Sequence, residues 1–168
     1  MTIIPLSDIP PAAVEALLDR AFGIDRHGRT AYRLRTGTQA LPGLSLAAVD
    51  DGGMLLGTIQ CWPVQLAGDE GVVTPMILVG PVAVEPAIQR GGIGQRLMTQ
   101  MLAAADASEL PGSDALMLVG DPEFYGRFFG FTAETTGGWS LPGPFEPRRL
   151  LARGAAVPVG PGMVEARL

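Results

Sequence analysis

Residues 77–105 read ILVGPVAVEPAIQRGGIGQRLMTQMLAAA. An apolar run is interrupted by Gly80-Pro81 and ended by Glu85-Pro86. A glycine loop follows. It opens onto a segment in which Leu97, Met98, Met101, Leu102 and Ala105 recur at helical spacing. The order is buried strand, loop, amphipathic helix, the helix running from Gly94 to about Ala107. Proline donates no ladder hydrogen bond, so Pro81 argues for a bulge or a local parting of strands. Successive N–H groups at a helix start make an anion site that the helix dipole strengthens. Gly91, Gly92 and Gly94 let a phosphate approach the backbone with no Cβ in the way. The same glycines also suit a plain strand-to-helix turn that binds nothing.

Working outward, residues 12–22 place Val14, Leu17, Leu18, Ala21 and Phe22 on one helical face. Ser7 and Asp8 offer caps, and Pro10 and Pro11 suit a first turn. A weaker helix is expected over 30–35. Residues 44–50 and 54–66 read as strands joined by the hairpin signal Asp50-Asp51-Gly52-Gly53. A second turn at 68–71 leads into a long strand over 72–84. Downstream, ALMLVG (115–120) reads as a strand covered on both faces. DPEFYGRFFGF (121–131) reads as a short helix with Asp121 as N-cap, Pro122 at its first position and Gly130 as its stop. Residues 131–135 suggest a further strand, and 147–152 one helical turn. Helix, antiparallel strands, crossover helix, strand, helix, strand is a mixed α/β sheet carrying helices.

Composition narrows the chemistry. A chain of 168 residues, 47% apolar and 17% charged, fits one domain with a packed core. All 12 basic residues are Arg. A phosphate loop of the Walker type and a pyridoxal Schiff base both need Lys, so both are excluded. Single copies of Cys (Cys61) and His (His27) exclude an intrachain disulfide and a Cys/His zinc cluster; no metal is expected. A net charge of −5 without a basic stripe argues against nucleic acid. No stretch approaches the roughly 20 apolar residues of a membrane helix, and no signal peptide is visible. A cytoplasmic protein without a membrane partner is expected.

The dinucleotide fingerprint G-x-G-x-x-G fails, because Leu97 stands where its third glycine belongs. What remains is Gln89-Arg90-Gly91-Gly92-Ile93-Gly94, a Q-x-x-G-x-G pattern. With V-x-V-x-P upstream and an amphipathic helix downstream, it resembles the acetyl-CoA pyrophosphate loop of the GNAT superfamily of N-acetyltransferases. The block FYGRFFGF (124–131) is family-like too. Together with LVGPVAV and LPGPFEPRRLLAR (141–153), it is similar to a YhbS-like bacterial branch. The resemblance covers roughly residues 3–135. It implies a GNAT fold: a mixed, mostly antiparallel sheet with flanking helices and a V-shaped strand splay at Gly80-Pro81. It also implies acetyl-CoA as co-substrate. Backbone groups of Val82 and Val84 would pair with the pantetheine arm. Amides of the loop, over Arg90, Gly91, Gly92, Ile93 and Gly94, would hold the pyrophosphate. Gln89 opens the motif, and Gln95 adds a polar contact. Arg90 is equally readable as a charge on the phosphates or as a solvated surface residue.

Acetyl transfer to an amine needs a neutral nucleophile, and an alkylammonium with pKa near 10 is only about 0.1% neutral at pH 7. A base or a water chain must take that proton, and an acid can protonate the departing thiolate. The family often places a Tyr in the helix after the strand beyond the crossover, which makes Tyr125 the general-acid candidate. The family usually spaces this Tyr four residues before a Gly-Phe pair; Tyr125 stands five before Gly130. One residue turns a helix by ~100°, so a wider turn is needed. The competing reading is a packed aromatic beside Phe124 and Phe128. No base stands out. Glu85 lies at the loop, Asp69 and Glu70 sit in a turn, and Asp121 is better explained as a cap. Cys61 reads as packed, and His27 as a surface histidine near an acceptor-side loop.

The expectation is an N-acetyltransferase domain over 1–140 and a Pro/Gly-rich extension, 141–168, packed on it. Its reaction would be direct acetyl transfer from acetyl-CoA to a primary amine in a ternary complex. The acceptor would be a small molecule or a peptide, and the protein a monomer or homodimer. The rival is a CoA-binding module of the same fold without catalysis.

Overall fold

The computed structural model describes residues 1–88 and 91–168. In chain order the elements are β1 (Thr2–Pro5), α1 (Pro11–Phe22), α2 (Thr30–Arg33), β2 (Leu46–Val49), β3 (Leu55–Gly68) and β4 (Val73–Val84). They continue with α3 (Ile93–Asp106), β5 (Leu116–Val119), α4 (Pro122–Phe129), β6 (Trp139–Ser140), β7 (Leu150–Arg153) and β8 (Gly162–Ala166). The strands form a mixed sheet in the order β1-β2-β3-β4-β5-β7, with β8 pairing to β3 and β6. The pairs β1–β2, β2–β3, β3–β8 and β5–β7 are antiparallel. The pairs β4–β5 and β6–β8 are parallel. This is the mixed, mostly antiparallel α/β arrangement expected from the sequence. Among the described residues no helix is long and apolar enough to cross a membrane.

The chain divides into two compact units, and β3 and β4 each run through both. The first comprises Met1–His27, Ala40–Cys61 and Gly80–Ala107. Here Val14, Leu17 and Leu18 of α1 bury against Ala83 of β4, with Leu6, Ile9, Phe22 and Leu55 at the margin. Helix α3 buries Ile93, Leu97, Met98, Met101, Leu102 and Ala105 and packs on β2. Each of the larger of these side chains, the Ile, Leu and Met, contributes roughly 1.5–3 kcal/mol when fully buried. β2 is small-residued at its centre, Ala47 and Ala48 being wholly buried. Gly57 of β3 is glycine for the same reason. A Cβ there would lie 2.9 Å from the Ala83 carbonyl and 3.0 Å from Ile93 Cγ2. The Asp50 carboxylate closes the β2–β3 hairpin by accepting from the N–H groups of Gly52 and Met54, and Gly53 takes φ 83°.

The second unit comprises Gly28–Gln39, Trp62–Val79 and Ser108–Leu168. β5 lies between β4, which it meets at Ile77↔Leu116 and Leu78↔Met117, and β7. Near the C-terminus Arg167 donates to the carbonyls of Val64, Met76 and Pro111, tying three segments together. β4 is continuous through Gly80-Pro81, where a bulge or a local parting from a neighbour is expected, and it pairs with β5 at Ile77 and Leu78. The division between the units does fall there, between Val79 and Gly80.

Several local expectations change. Ser7 and Asp8 do not cap α1; they lie in a 3-10 turn, Leu6–Asp8, and Pro10 takes the N-cap position. Residues 131–135 form a single bridge, Thr132↔Ala152, in place of a strand. The Thr136 hydroxyl donates to the Leu150 carbonyl, tying the segment to the start of β7 by a side chain. The helical turn at 147–152 is a 3-10 turn over Pro147–Arg149 that runs straight into β7. β1, β6 and β8 have no counterpart in the local reading.

Because Gly57 lies under α3 with no spare room, Gly57→Ala should destabilise the fold by about 1–3 kcal/mol, the usual cost of overpacking. Chemical denaturation checks this, and an unchanged midpoint and slope would contradict the close approach.

Candidate functional site

Side chains of a strand alternate between its faces, and the end of β4 shows it. Ala83 is wholly buried in the α1 cluster, while Val82 and Val84 are half-buried on the opposite face. There they meet the start of α3. A Cβ built on Gly94 would lie 3.7 Å from Val82 Cγ1 and 3.7 Å from Val84 Cγ2, ordinary contact distances. Gly94 is not among the glycines with positive φ. Neither space nor backbone conformation within the protein demands glycine at this position.

Gly91 and Gly92 are different. Their φ values of 106° and 68° are left-handed, a region L side chains seldom adopt. Gly92 is the N-cap of α3, and its carbonyl accepts the Arg96 N–H at 3.0 Å. Among the described residues no side chain caps the helix, so none of them offers a side-chain acceptor to the first-turn amides, which an α-helix cannot satisfy internally. Buried Ile93 anchors the turn, while Gly91, Gly92 and Gln95 are exposed. The result is a backbone-lined, electropositive helix start beside a strand end, suited to an anionic group. Val82, Val84, Gly91, Gly92, Ile93, Gly94 and Gln95 are thus gathered in the first unit. Gln89 and Arg90 lie outside the described residues.

Tyr125 belongs to the second unit. Asp121 caps α4 by accepting the Glu123 N–H at 3.0 Å, and Pro122 opens the first turn. The Tyr125 ring lies on the backbone of Gly120, where a Cβ would come within 2.6 Å of its Cε2. It stands edge-on to Phe124 (5.0 Å, 85°) and to Phe131 (6.3 Å, 77°). At the helix end the Tyr125 carbonyl accepts from the Gly130 N–H and, at 3.3 Å, from the Phe131 N–H. That is a wider closing turn than an α-helix makes. Burial raises the phenol pKa; the charge of Arg149 opposes that rise and Asp121 adds to it. Tyr125 is therefore protonated at neutral pH.

The remaining candidates have other occupations. Glu85 is gripped by Arg20, whose Nη2 lies 2.7 Å and Nε 3.1 Å from the same carboxylate oxygen. Cys61 is wholly buried, its N–H donates to the Ser45 hydroxyl, and burial pushes its thiol up to about 12. His27 is exposed, as are Asp69 and Glu70. Two residues escape the sequence reading. Gly120 looks like the end of a strand but is the platform for Tyr125. Arg26 looks like a polar surface residue but is 1% exposed, paired with Asp19 at 3.0 Å and with Glu15. Its signal was the placing of Glu15 and Asp19 one turn apart on α1.

Residues 7–133 match the family model described as the acetyltransferase (GNAT) domain. The chain is 28% identical over 120 residues to a protein of Escherichia coli K12 named as an uncharacterised N-acetyltransferase, YhbS, covering 71% of this chain and 67% of that protein. The crystal structure of Escherichia coli YhbS in complex with CoA superposes with a TM-score of 0.73 at 24% identity, covering 99% of this chain and 89% of that one. A GNAT-family acetyltransferase from Brucella melitensis in complex with acetyl-CoA gives 0.65 at 26% identity, covering 99% and 96%.

Burial of Cys61 has a measurable consequence at alkaline pH. A thiol raised from 9.0 to about 12 on folding stays protonated in the folded state while the unfolded state ionises. The unfolded state then binds fewer protons, and stability falls as pH rises from about 9 towards 12. Between pH 9 and 10.5 the parent should lose about 1.5–2 kcal/mol more than Cys61→Ala. Denaturant titrations at both pH values check this, and parallel losses would contradict it.

Proposed function

The chain belongs to the acetyltransferase (GNAT) family, and we propose that it transfers the acetyl group of acetyl-CoA directly to a primary amine of a small-molecule or peptide acceptor. The observation that carries this reading is Gly94. Its φ is ordinary and a Cβ would fit, so the missing side chain is best explained by something that approaches the backbone from outside. The CoA and acetyl-CoA complexes of the two similar structures supply the chemical class. The first-turn amides of α3 and Gly91–Gly92 hold the pyrophosphate, and backbone groups of Val82 and Val84 receive the pantetheine arm as an added strand. The amine nitrogen attacks the thioester carbon, the C–S bond breaks, and the Tyr125 hydroxyl gives its proton to the sulfur. With Glu85 held by Arg20, water takes the proton from the attacking amine. That ion pair also favours the alternative of a CoA-binding module without turnover. Thiol release with a panel of amines separates the two.

Gly94→Ala is the discriminating variant. Its Cβ fits the free protein and adds helix propensity, worth roughly 0.5–1 kcal/mol, so the melting midpoint should hold or rise. Acetyl-CoA affinity should fall at least about tenfold, a loss of ~1.4 kcal/mol. Calorimetric titration checks it; unchanged affinity would remove the pyrophosphate from this loop. Tyr125→Phe should lower turnover by about 10²- to 10⁴-fold, the range for a positioned acid, with acetyl-CoA affinity kept within a few-fold. Near-normal turnover with chemistry rate-limiting would leave Tyr125 as packing alone.

A further inference from the structure

Arg149 and Tyr125 are linked through Gly120. The Gly120 N–H donates to the Arg149 carbonyl at 2.9 Å, continuing the β5–β7 register one step past Val119↔Leu150. On the same glycine lies the Tyr125 ring. The two consecutive arginines ahead of β7 then part company. Arg148 reaches Glu123 at 2.5 Å. The Arg149 side chain makes no ion pair or hydrogen bond among the described residues. We propose that Arg149, whose main chain is anchored on the glycine that carries the Tyr125 ring, is a positioning residue for Tyr125, a cation that stabilises the phenolate left when Tyr125 protonates the departing thiolate.

The proposal rests on the general-acid reading of Tyr125. A buried phenol is a reluctant acid, and here the environment is mostly aromatic: Phe124, Phe129 and Phe131 surround the ring. The charged groups around it are few. Asp121, at the N-cap of α4, works against ionisation, and Arg149 works for it. Glu123 is matched by Arg148. Arg153 comes near the far end of the helix, its Nε 4.0 Å from a Cβ built on Gly130. Once Tyr125 Oη has passed its proton to the sulfur, the phenolate needs a counter-charge until water returns a proton. Arg149 supplies it. Its side chain is exposed, so the interaction is screened and salt-dependent.

The chain has two tyrosines, so in a Tyr32→Phe background the phenolate absorbance reports Tyr125 alone. Arg149→Met should raise its titration midpoint by roughly 0.2–0.7 pH at low ionic strength, the size expected of an exposed charge pair. Arg149→Lys should hold the midpoint near the parent value, and 1 M salt should shrink the difference. In otherwise unaltered protein, Arg149→Met should lower the kcat plateau about 2- to 5-fold. Its alkaline limb should move to higher pH in step. A purely structural role would lower the plateau without moving the limb. An unmoved phenol midpoint overturns the pairing. A moved midpoint with kcat and its limb unchanged overturns the catalytic role. Normal turnover in Tyr125→Phe is a separate result, which removes the acid itself and leaves the titration with Arg149 standing.

Discussion

Helix α3 has to pack closely on the strand beneath it, and the rest of the first unit follows from that approach. Gly57, beneath Ile93 and Leu97, removes the side chain that would hold helix and strand apart, and Gly94 starts the helix against Val82 and Val84. The left-handed turn at Gly91 and Gly92 then reverses the chain within a few residues. Leu97, Met98 and Met101 follow at once as buried anchors. A helix start fixed in this way keeps its free amides aimed in one direction, which is what preorganised anion recognition requires. Val82 and Val84 differ from Ala83 only in which face they serve. That alternation puts the α1 core on one side of β4 and the proposed ligand surface on the other.

The sequence made this region legible because its information is local. Helical spacing in α3, the glycine loop, the cap at Asp121 and the stop at Gly130 all act within a few residues, and each appears in the structure. What stayed hidden is long-range. β8 pairs with β3 across about a hundred positions of sequence, as at Gln65↔Glu165, and its five residues carry no strong alternation of their own. Residues 147–152 read as one helical turn, yet pairing of β7 with β5 decides the outcome. Arg26 was hard to read because the spacing of Glu15 and Asp19 shows only that they share a helix face, not that the chain folds back to bury a guanidinium against them. Gly120 was illegible because its reason is the ring of a residue five positions on.

The chemistry divides along the same line. The proposed phosphate surface is made of backbone, so its residue types constrain it only through what they lack. The proposed acid is a side chain whose behaviour depends on burial and on a few charges. Its aromatic neighbours keep Tyr125 protonated, and the Asp121 cap that starts its helix also disfavours the phenolate. The proposed compensating charge, Arg149, comes from the Pro/Gly-rich segment, which carries no local feature pointing to α4. In the proposed reaction, with Glu85 committed to Arg20, the attacking amine loses its proton to water.

The central claim is that the α3 start and the end of β4 form one acetyl-CoA surface made of main chain. Backbone amide resonances followed during titration with acetyl-CoA test it most directly. The account predicts that the largest shifts at saturation fall on Gly92, Ile93, Gly94 and Gln95, with Val82 and Val84 next. Saturable binding that leaves those six amides in place and moves others would contradict it.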